Sequence, residues 1–233
     1  MVLLGTIVNG LAIVVASLMG LLIRRIPDKM RETIMIAIAL AVVVLGLDMA
    51  LKSEQFLIVI ASLVVGAIVG EILDLEGGLN KVGAWIEQRL GAAEEGSIAK
   101  AFVTTTLIYV VGAMAILGAL DSGLRGDHSV LYTKSMLDGF TAMLFTSTLG
   151  IGVIFSAIPV VLYQGGIALL ATQIYEYVPQ ALMNQFIVEM TATGGVMIMA
   201  IGLNISGLLK IRVANLLPGI VVVAVIVTVL HMI

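Results

Sequence analysis

Residues 134–172 read KSMLDGFTAMLFTSTLGIGVIFSAIPVVLYQGGIALLAT, an apolar run of nearly forty residues whose charges are Lys134 and Asp138. One pass through a bilayer takes about 20 residues, so a single helix of this length would have to tilt far beyond the usual range. Gly150 and Gly152 lie near the middle of the run. The run therefore predicts two membrane-spanning helices that are joined near this glycine pair.

The rest of the chain has the same apolar character. Hydrophobic residues make up 61% of the 233 residues and charged residues 12%, and the mean hydropathy is +1.18. An ordinary soluble domain has roughly 25% charged residues, so this chain has too few charges to cover a soluble surface. The composition predicts an all-α polytopic membrane protein, folded as a single integral membrane domain over residues 1–233.

Apolar segments with polar or charged ends predict about eight spans. They lie at about 3–23, 33–51, 56–73, 101–120, the two halves of 134–172, 182–208 and 213–232. With eight spans and the first loop cytoplasmic, cytoplasmic loops hold nine of the twelve Lys and Arg residues, as the positive-inside rule requires. Counting the long run as a single pass gives only seven against five. The alternative that stays open is seven spans plus a re-entrant hairpin around 138–152.

Residues 74–97 are more polar than the spans but keep a helical pattern. Their apolar residues recur at steps of three and four, which places them on one helix face. These residues are Leu75, Leu79, Val82, Ile86 and Leu90. The pattern predicts one amphipathic helix at the cytoplasmic membrane surface.

The residue inventory argues against several classes of site. The chain has no cysteine, and His128 and His231 lie far apart, so we expect neither a metal site nor a cofactor. A net charge of −3 without a dense basic patch argues against nucleic acid as a partner. The sequence has no nucleotide-binding fingerprint, and Ser122 lies near His128 in a predicted loop without a nucleophile elbow. We therefore expect no enzymatic activity.

Polar residues inside the predicted spans are the candidate functional residues, because a charge in a bilayer normally faces a partner or a wet cavity. Glu189 lies seven residues into its span, without a cation within one helical turn. Thr193 and the pair Gly194-Gly195 follow it, and the glycines predict an unwound helix whose free carbonyl oxygens bind a cation. Close packing of helices through small residues is the alternative interpretation.

Four further residues are predicted to line the same path. Asp138 follows Lys134 by four residues, so it either pairs with that lysine on one helix face or binds the solute. Asn9, Asn204 and Gln164 carry amides, which bind a solute or connect two helices.

These residues predict a membrane transport protein, specifically a secondary transporter of a small solute or ion coupled to protons or cations. The alternatives are an ion channel, which would use the same residues, and a non-transporting membrane scaffold, in which the amides and glycines only pack helices. The expected partners are the lipid bilayer and the transported solute or ion. Small-residue patterns such as Gly66-Ala-Ile-Val-Gly70 also allow a homo-oligomer.

Several motifs of the chain belong together. The longest is GAMAILGALDSGLRGDHS at 112–129, followed by KSMLD at 134–138. The others are GTIVN at 5–9, TGG at 193–195, GLN at 202–204 and NLLP at 215–218. With these motifs, the chain resembles over essentially its whole length the bacterial membrane family that includes the YqgA and YdfK proteins, a domain-of-unknown-function family. The resemblance implies a multi-pass protein of the prokaryotic inner membrane and supplies no substrate.

Overall fold

The computed structural model describes residues 1–22, 28–90 and 97–232. Within these ranges the chain forms eleven α-helices and two short 3-10 helices, and no strand. The α-helices are α1 (Leu4–Leu22), α2 (Asp28–Ala50), α3 (Phe56–Leu73), α4 (Leu75–Leu90), α5 (Ser97–Val110), α6 (Ala113–Leu124), α7 (Ser129–Leu149), α8 (Ala157–Leu169), α9 (Ala171–Tyr177), α10 (Gln180–Ile205) and α11 (Pro218–Met232). The 3-10 helices are Ile151–Ser156 and Val213–Leu216. The predicted all-α fold is confirmed.

Six helical segments are long and apolar enough to cross a membrane, and a seventh is a bent pair. The six lie in α1, α2, α3, residues 151–169, α10 and residues 213–232, and the bent pair is α5 with α6. The structure therefore supports six to seven candidate spans, where the sequence predicts about eight. α7 accounts for the difference: it is 21 residues long but carries Lys134 and Asp138 among several hydroxyl residues.

The described helices group into two compact units. Unit 1 contains α1, the helices from α5 to α9, and the first 3-10 helix, whereas unit 2 contains α2, α3, α10, α11 and the second 3-10 helix. The division falls inside α4. Unit 2 is built from two separate stretches, 28–79 and 178–232, and the chain between them belongs to unit 1. The single integral membrane domain over residues 1–233 stays a prediction.

In unit 1, α1 packs along α7 in the same direction, with Gly5 against Leu131 and Gly20 against Met143. The two backbones approach closely at Gly20, where a Cβ would lie 2.4 Å from the Met143 carbonyl oxygen. α8 packs on α1 in the opposite direction. Three helices therefore share one interface, and polar residues on α1 face both of its neighbours.

The predicted division of residues 134–172 into two helical segments is confirmed, but among the described residues only the second segment, 151–169, is a candidate membrane span. α7 ends at Leu149, and Gly150 has a φ of +90°, after which the chain enters the 3-10 helix and α8. α7 is continuous through Asp138. The chain thus turns between two helical segments at Gly150, and the structure gives no support to a short re-entrant hairpin around 138–152.

The span predicted at 101–120 is broken rather than continuous. α5 ends at Val110 and α6 begins at Ala113, with the two axes 61° apart. Between them, Gly112 has a φ of 146° and a ψ of 150°, a conformation that is essentially restricted to glycine. No side chain caps the N-terminus of α6 with a hydrogen bond.

In unit 2, α10 is continuous over 26 residues, so the unwinding predicted at Gly194-Gly195 is wrong. The reason is close packing against α2, since a Cβ on Gly195 would lie 2.5 Å from the backbone nitrogen of Ala50. Gly202 lies against Val43 further along, so α2 and α10 run antiparallel. The glycine pair serves helix packing, which was the alternative interpretation of the sequence.

The helix predicted within residues 74–97 is confirmed as α4, and residues 91–96 lie outside the described part of the chain. Trp85 on this helix is exposed. The side chains of Val82, Ile86 and Leu90, which belong to the predicted apolar face, also lie outside the description. The location of α4 at the membrane surface therefore stays a prediction.

Candidate functional site

Three of the predicted site residues meet inside unit 1. The Nδ2 atom of Asn9 on α1 donates to Oδ2 of Asp138 on α7 at 3.0 Å, and to Oε1 of Gln164 on α8 at 3.3 Å. Asn9 and Gln164 are fully buried, and Asp138 is 5% exposed. Together with Lys134, these residues are called the Asp138 cluster below.

Lys134 and Asp138 form the pair that their four-residue spacing predicts. The Lys134 Nζ atom lies 3.0 Å from Asp138 Oδ1, and both side chains are buried. Removing two charges from water carries a large desolvation penalty, which mutual attraction repays only when further hydrogen bonds complete the site. The contacts around this ion pair therefore decide its role.

Several polar atoms around the cluster are buried but have no hydrogen-bond partner within the described residues. They are Oδ1 of Asn9, Nε2 of Gln164 and Oγ1 of Thr6. Buried polar groups in native proteins are nearly always bonded, so each exception calls for an explanation such as a ligand, an ion or a water. The cluster has unused capacity to hold a polar molecule.

Glu189 belongs to unit 2 and has a different environment. Its carboxylate is fully buried and accepts a hydrogen bond from Ser53 Oγ at 2.5 Å. It also accepts from the backbone N–H groups of Glu54 and Gln55 at 3.0 and 2.9 Å. These three donors directly precede α3, so Glu189 satisfies the start of that helix; we call this arrangement the Glu189 cap. Glu189 and Asp138 belong to different units.

The other predicted residues of unit 2 do not form one site with Glu189. Asn204 donates to the carbonyl of Ile211 at 2.7 Å and accepts from its N–H at 2.8 Å, which closes the turn after α10. Thr193 is buried, and its hydroxyl has no partner among the described residues. The eight predicted site residues are therefore divided: Asn9, Asp138 and Gln164 come together in unit 1, and the remaining five lie on α10.

Sequence reasoning missed a polar network in unit 2. Glu71 at the end of α3 binds Arg212 and the amide of Asn215. Asn215 Oδ1 accepts from the N–H of Glu76 at 2.8 Å, and Glu76 in turn accepts from the N–H of Ala214 at 3.0 Å. Each of these donors and acceptors has its hydrogen-bond partner within the network, which therefore joins α3, α4 and the second 3-10 helix. Its members are far apart in sequence, and no local spacing predicts the contacts.

Ser122 and His128 approach one another, as their sequence positions allow. Ser122 lies on α6 rather than in a loop, and its Oγ atom is 2.7 Å from His128 Nδ1. The same Oγ donates to the carbonyl of Val2 at 2.8 Å. The single hydroxyl proton is thus directed at the N-terminal segment, and the pair connects that segment to α6 and α7.

The backbone N–H of Ser129, at the start of α7, donates a hydrogen bond to the carboxylate of Asp127 and lowers the pKa of this exposed residue.

Within the described residues, no group of three or more His, Asp and Glu side chains could hold a metal ion.

Comparison with known proteins assigns the family. The sequence model of the family described as "Protein of unknown function (DUF554)" matches residues 4–228. The chain belongs to the DUF554 family. This DUF554 protein is 32% identical over 232 residues to "Uncharacterized membrane protein YdfK" of Bacillus subtilis (strain 168), which covers 97% of this chain and 96% of that relative.

A second relative confirms the predicted family. The DUF554 chain is 31% identical over 222 residues to "Uncharacterized protein YqgA" of Escherichia coli (strain K12), with 93% of this chain and 92% of that relative covered. No solved structure matches the chain. This DUF554 protein is a bacterial multi-pass membrane protein, as predicted.

Proposed function

We propose that this protein is a secondary transporter of a small solute or ion, and that the Asp138 cluster in unit 1 is its binding site. The observation that carries the proposal is a buried Lys134–Asp138 ion pair beside buried polar atoms that have no partner in the described chain. α7 packs against α1 and against residues 151–169, which are both candidate spans. Ionisable residues buried among membrane helices are expensive, and they normally mark a substrate or ion pathway.

The broken span provides a second line of support. Tyr109 lies on the last turn of α5, three residues before Gly112, and α5 packs against α7, the helix that carries Asp138. Discontinuous helices next to a polar site are characteristic of secondary transporters, in which the half-helices change their relative orientation or bind ions. The break between α5 and α6 is therefore adjacent to the cluster that would bind the solute.

The proposal assigns binding to Asp138 rather than to Glu189. The oxygens of Glu189 already accept three hydrogen bonds, two of them from backbone N–H groups whose positions are fixed by the chain. The oxygens of Asp138 accept from two side chains, Asn9 and Lys134, which are able to change rotamer when a solute arrives. Asp138 is thus the carboxylate whose partners are exchangeable.

The test is gradient-driven flux into proteoliposomes, followed with proton-, sodium- and potassium-sensitive dyes. Wild type, Asp138→Asn and Glu189→Gln are compared at equal amounts of folded protein. We expect Asp138→Asn to lower flux by about tenfold or more, because it removes a charged hydrogen-bond partner from the site. Glu189→Gln keeps the flux of each folded molecule because its carboxylate lies outside the cluster.

If the flux of Asp138→Asn equals that of the wild type, the assignment of the binding site to the Asp138 cluster is contradicted. Saturating flux with counterflow identifies a transporter, whereas discrete single-channel currents would identify a channel. Absence of flux under every gradient, with both variants also silent, would favour the membrane scaffold.

A further inference from the structure

The hydrogen-bonding groups that the Asp138 cluster leaves unused are mostly donors. The Lys134 ammonium has three N–H groups and uses one, in its bond to Asp138. The amide nitrogen of Gln164 has no acceptor within the described chain, the unpartnered hydroxyl of Thr6 can donate or accept, and Asn9 Oδ1 is an unused acceptor. A surplus of buried donors fits a ligand rich in acceptors, such as a small anion.

Charge balance limits how an anion enters this site. The charges of Lys134 and Asp138 cancel, so an added anion would leave an uncompensated negative charge in a buried environment, which is strongly unfavourable. A proton on the Asp138 carboxylate removes that excess. The lysine then pairs with the anion instead of with Asp138, and the site stays neutral.

Among the described residues, no second carboxylic acid packs against Asp138 to take over this role. On α7 the titratable neighbour is Lys134, whereas α5 carries the buried Tyr109 and the exposed Lys100. On α1 the amide of Asn9 donates to Asp138, and the amide of Gln164 on α8 accepts from Asn9. On the other elements packed against α7, the 3-10 helix Ile151–Ser156 carries no titratable residue, and α6 carries Asp121, which pairs with Arg125 at the end of that helix. On α8, Tyr163 precedes the glutamine.

We propose that the Asp138 cluster takes up one small monovalent anion together with one proton, and that the protein carries both in the same direction. This inference rests on the proposed transport function and names its substrate class and its coupling. In the step itself, a proton binds a carboxylate oxygen of Asp138, and the Lys134–Asp138 bond is exchanged for a bond between Lys134 and the anion. One positive and one negative charge move together, so the transport cycle carries no net charge.

The first experiment uses proteoliposomes containing a pH dye, with inward gradients of chloride or nitrate and with gluconate as the large-anion control. For the wild type, we expect internal acidification with chloride or nitrate and none with gluconate. Clamping the membrane potential with valinomycin and potassium leaves the rate unchanged, because the step is electroneutral. Glu189→Gln is the matched control: it removes the buried carboxylate of unit 2 and keeps the anion-dependent proton uptake.

The second experiment separates the proton from the anion. In Asp138→Asn the lysine charge has no counter-ion, so we expect about tenfold less anion-dependent proton uptake and an anion uptake that carries charge and is independent of pH. In detergent, chloride or nitrate should raise the melting temperature of Asp138→Asn by about 5 °C relative to gluconate. The double variant Lys134→Gln/Asp138→Asn contains no buried charge at this site. It should show neither the charge-carrying anion uptake nor the rise in melting temperature with chloride or nitrate.

The outcomes distinguish this inference from the transport proposal. Sodium or potassium flux that needs no anion and is lost in Asp138→Asn would support the proposed transport function. It would overturn the inference that the substrate is an anion. Anion flux through wild type that carries charge, or no anion stabilisation of Asp138→Asn, would also overturn the inference. No flux of any tested ion through wild type, together with no anion stabilisation of the variant, would overturn both proposals.

Discussion

Asp138 and Glu189 occupy matching positions in the two units: each lies nine residues after the first residue of a long helix, α7 or α10, and each is buried. Their partners differ. Asp138 is held by two side chains and is surrounded by polar atoms without partners, whereas Glu189 is held by a loop that it completes. A buried carboxylate in a membrane protein is therefore informative only together with its donors, because backbone donors indicate a structural role and exchangeable side-chain donors indicate a binding role.

The largest effect is expected from splitting the ion pair of unit 1. Lys134→Met leaves Asp138 as an uncompensated buried charge, which costs about 3–5 kcal/mol of unfolding free energy. The double variant Lys134→Met/Asp138→Asn removes both charges and should recover most of that loss. Unfolding titrations with SDS measure both values, and additive effects of the two substitutions would refute a coupled pair.

The next effect concerns the Glu189 cap. Glu189→Ala leaves the Ser53 hydroxyl and the Glu54 N–H without their acceptor and removes one of the two acceptors of the Gln55 N–H, so we expect a loss of about 3 kcal/mol. Glu189→Gln retains one acceptor oxygen and should cost about 1 kcal/mol. Hydrogen exchange of the Glu54 and Gln55 amides reports the loss locally. Unchanged protection of these amides in the alanine variant would contradict the cap.

Substitutions at the close helix contacts within the two units should have similar effects on stability. The two units would then differ in their buried polar groups and not in their packing. Gly20 and Gly195 each allow two helices to meet, with backbone atoms 2.4 and 2.5 Å from where a Cβ would be. Gly20→Ala and Gly195→Ala should each cost about 1–3 kcal/mol by overpacking. Gly166→Ala is the control, because nothing lies within 4 Å of its Cβ position and alanine favours helix. Equal melting temperatures for all three variants would contradict close packing.

The smallest effect is expected at a second pair with the same four-residue spacing. Asp48 and Lys52 in unit 2 lie 2.6 Å apart, but their side chains are 61% and 58% exposed. Solvent screens such pairs, so Lys52→Ala should cost about 0.5 kcal/mol or less. Thermal unfolding at low and high salt measures the difference. A cost comparable with that of Lys134→Met would show that burial does not set the value of these pairs.

Local patterns in the sequence were sufficient for the membrane class, the division near Gly150 and the Lys134–Asp138 pair. Each depends on residues within a few turns of one another. The contacts among Asn9, Asp138 and Gln164 could not be predicted from the sequence, because they depend on how α1, α7 and α8 pack. The sequence supplied these residue types as candidates, and the fold determined which of them meet.

Two wrong predictions have the same physical cause: the unwound helix at Gly194-Gly195 and the continuous span at 101–120. A glycine in a membrane helix permits either a break or a close approach of another helix, and the partner helix decides which occurs. At Gly195 the partner is α2, and the helix continues, whereas at Gly112 the chain bends. Similarly, the donors for Glu189 are backbone groups of Glu54 and Gln55, which leave no signature in residue type.

The interleaved order of the two units has a consequence for biosynthesis. Ser53, Glu54 and Gln55 leave the ribosome long before Glu189, since about 100 residues of unit 1 separate the two halves of unit 2. Glu189 follows Gln55 by about 134 residues. At about 5–20 residues per second, the start of α3 waits roughly 7–27 s for its carboxylate. During this interval the Ser53 hydroxyl and the Glu54 N–H lack the carboxylate acceptor that they have in the folded protein. Completion of unit 2 is thus a late event that requires the chain of unit 1 to have been made first.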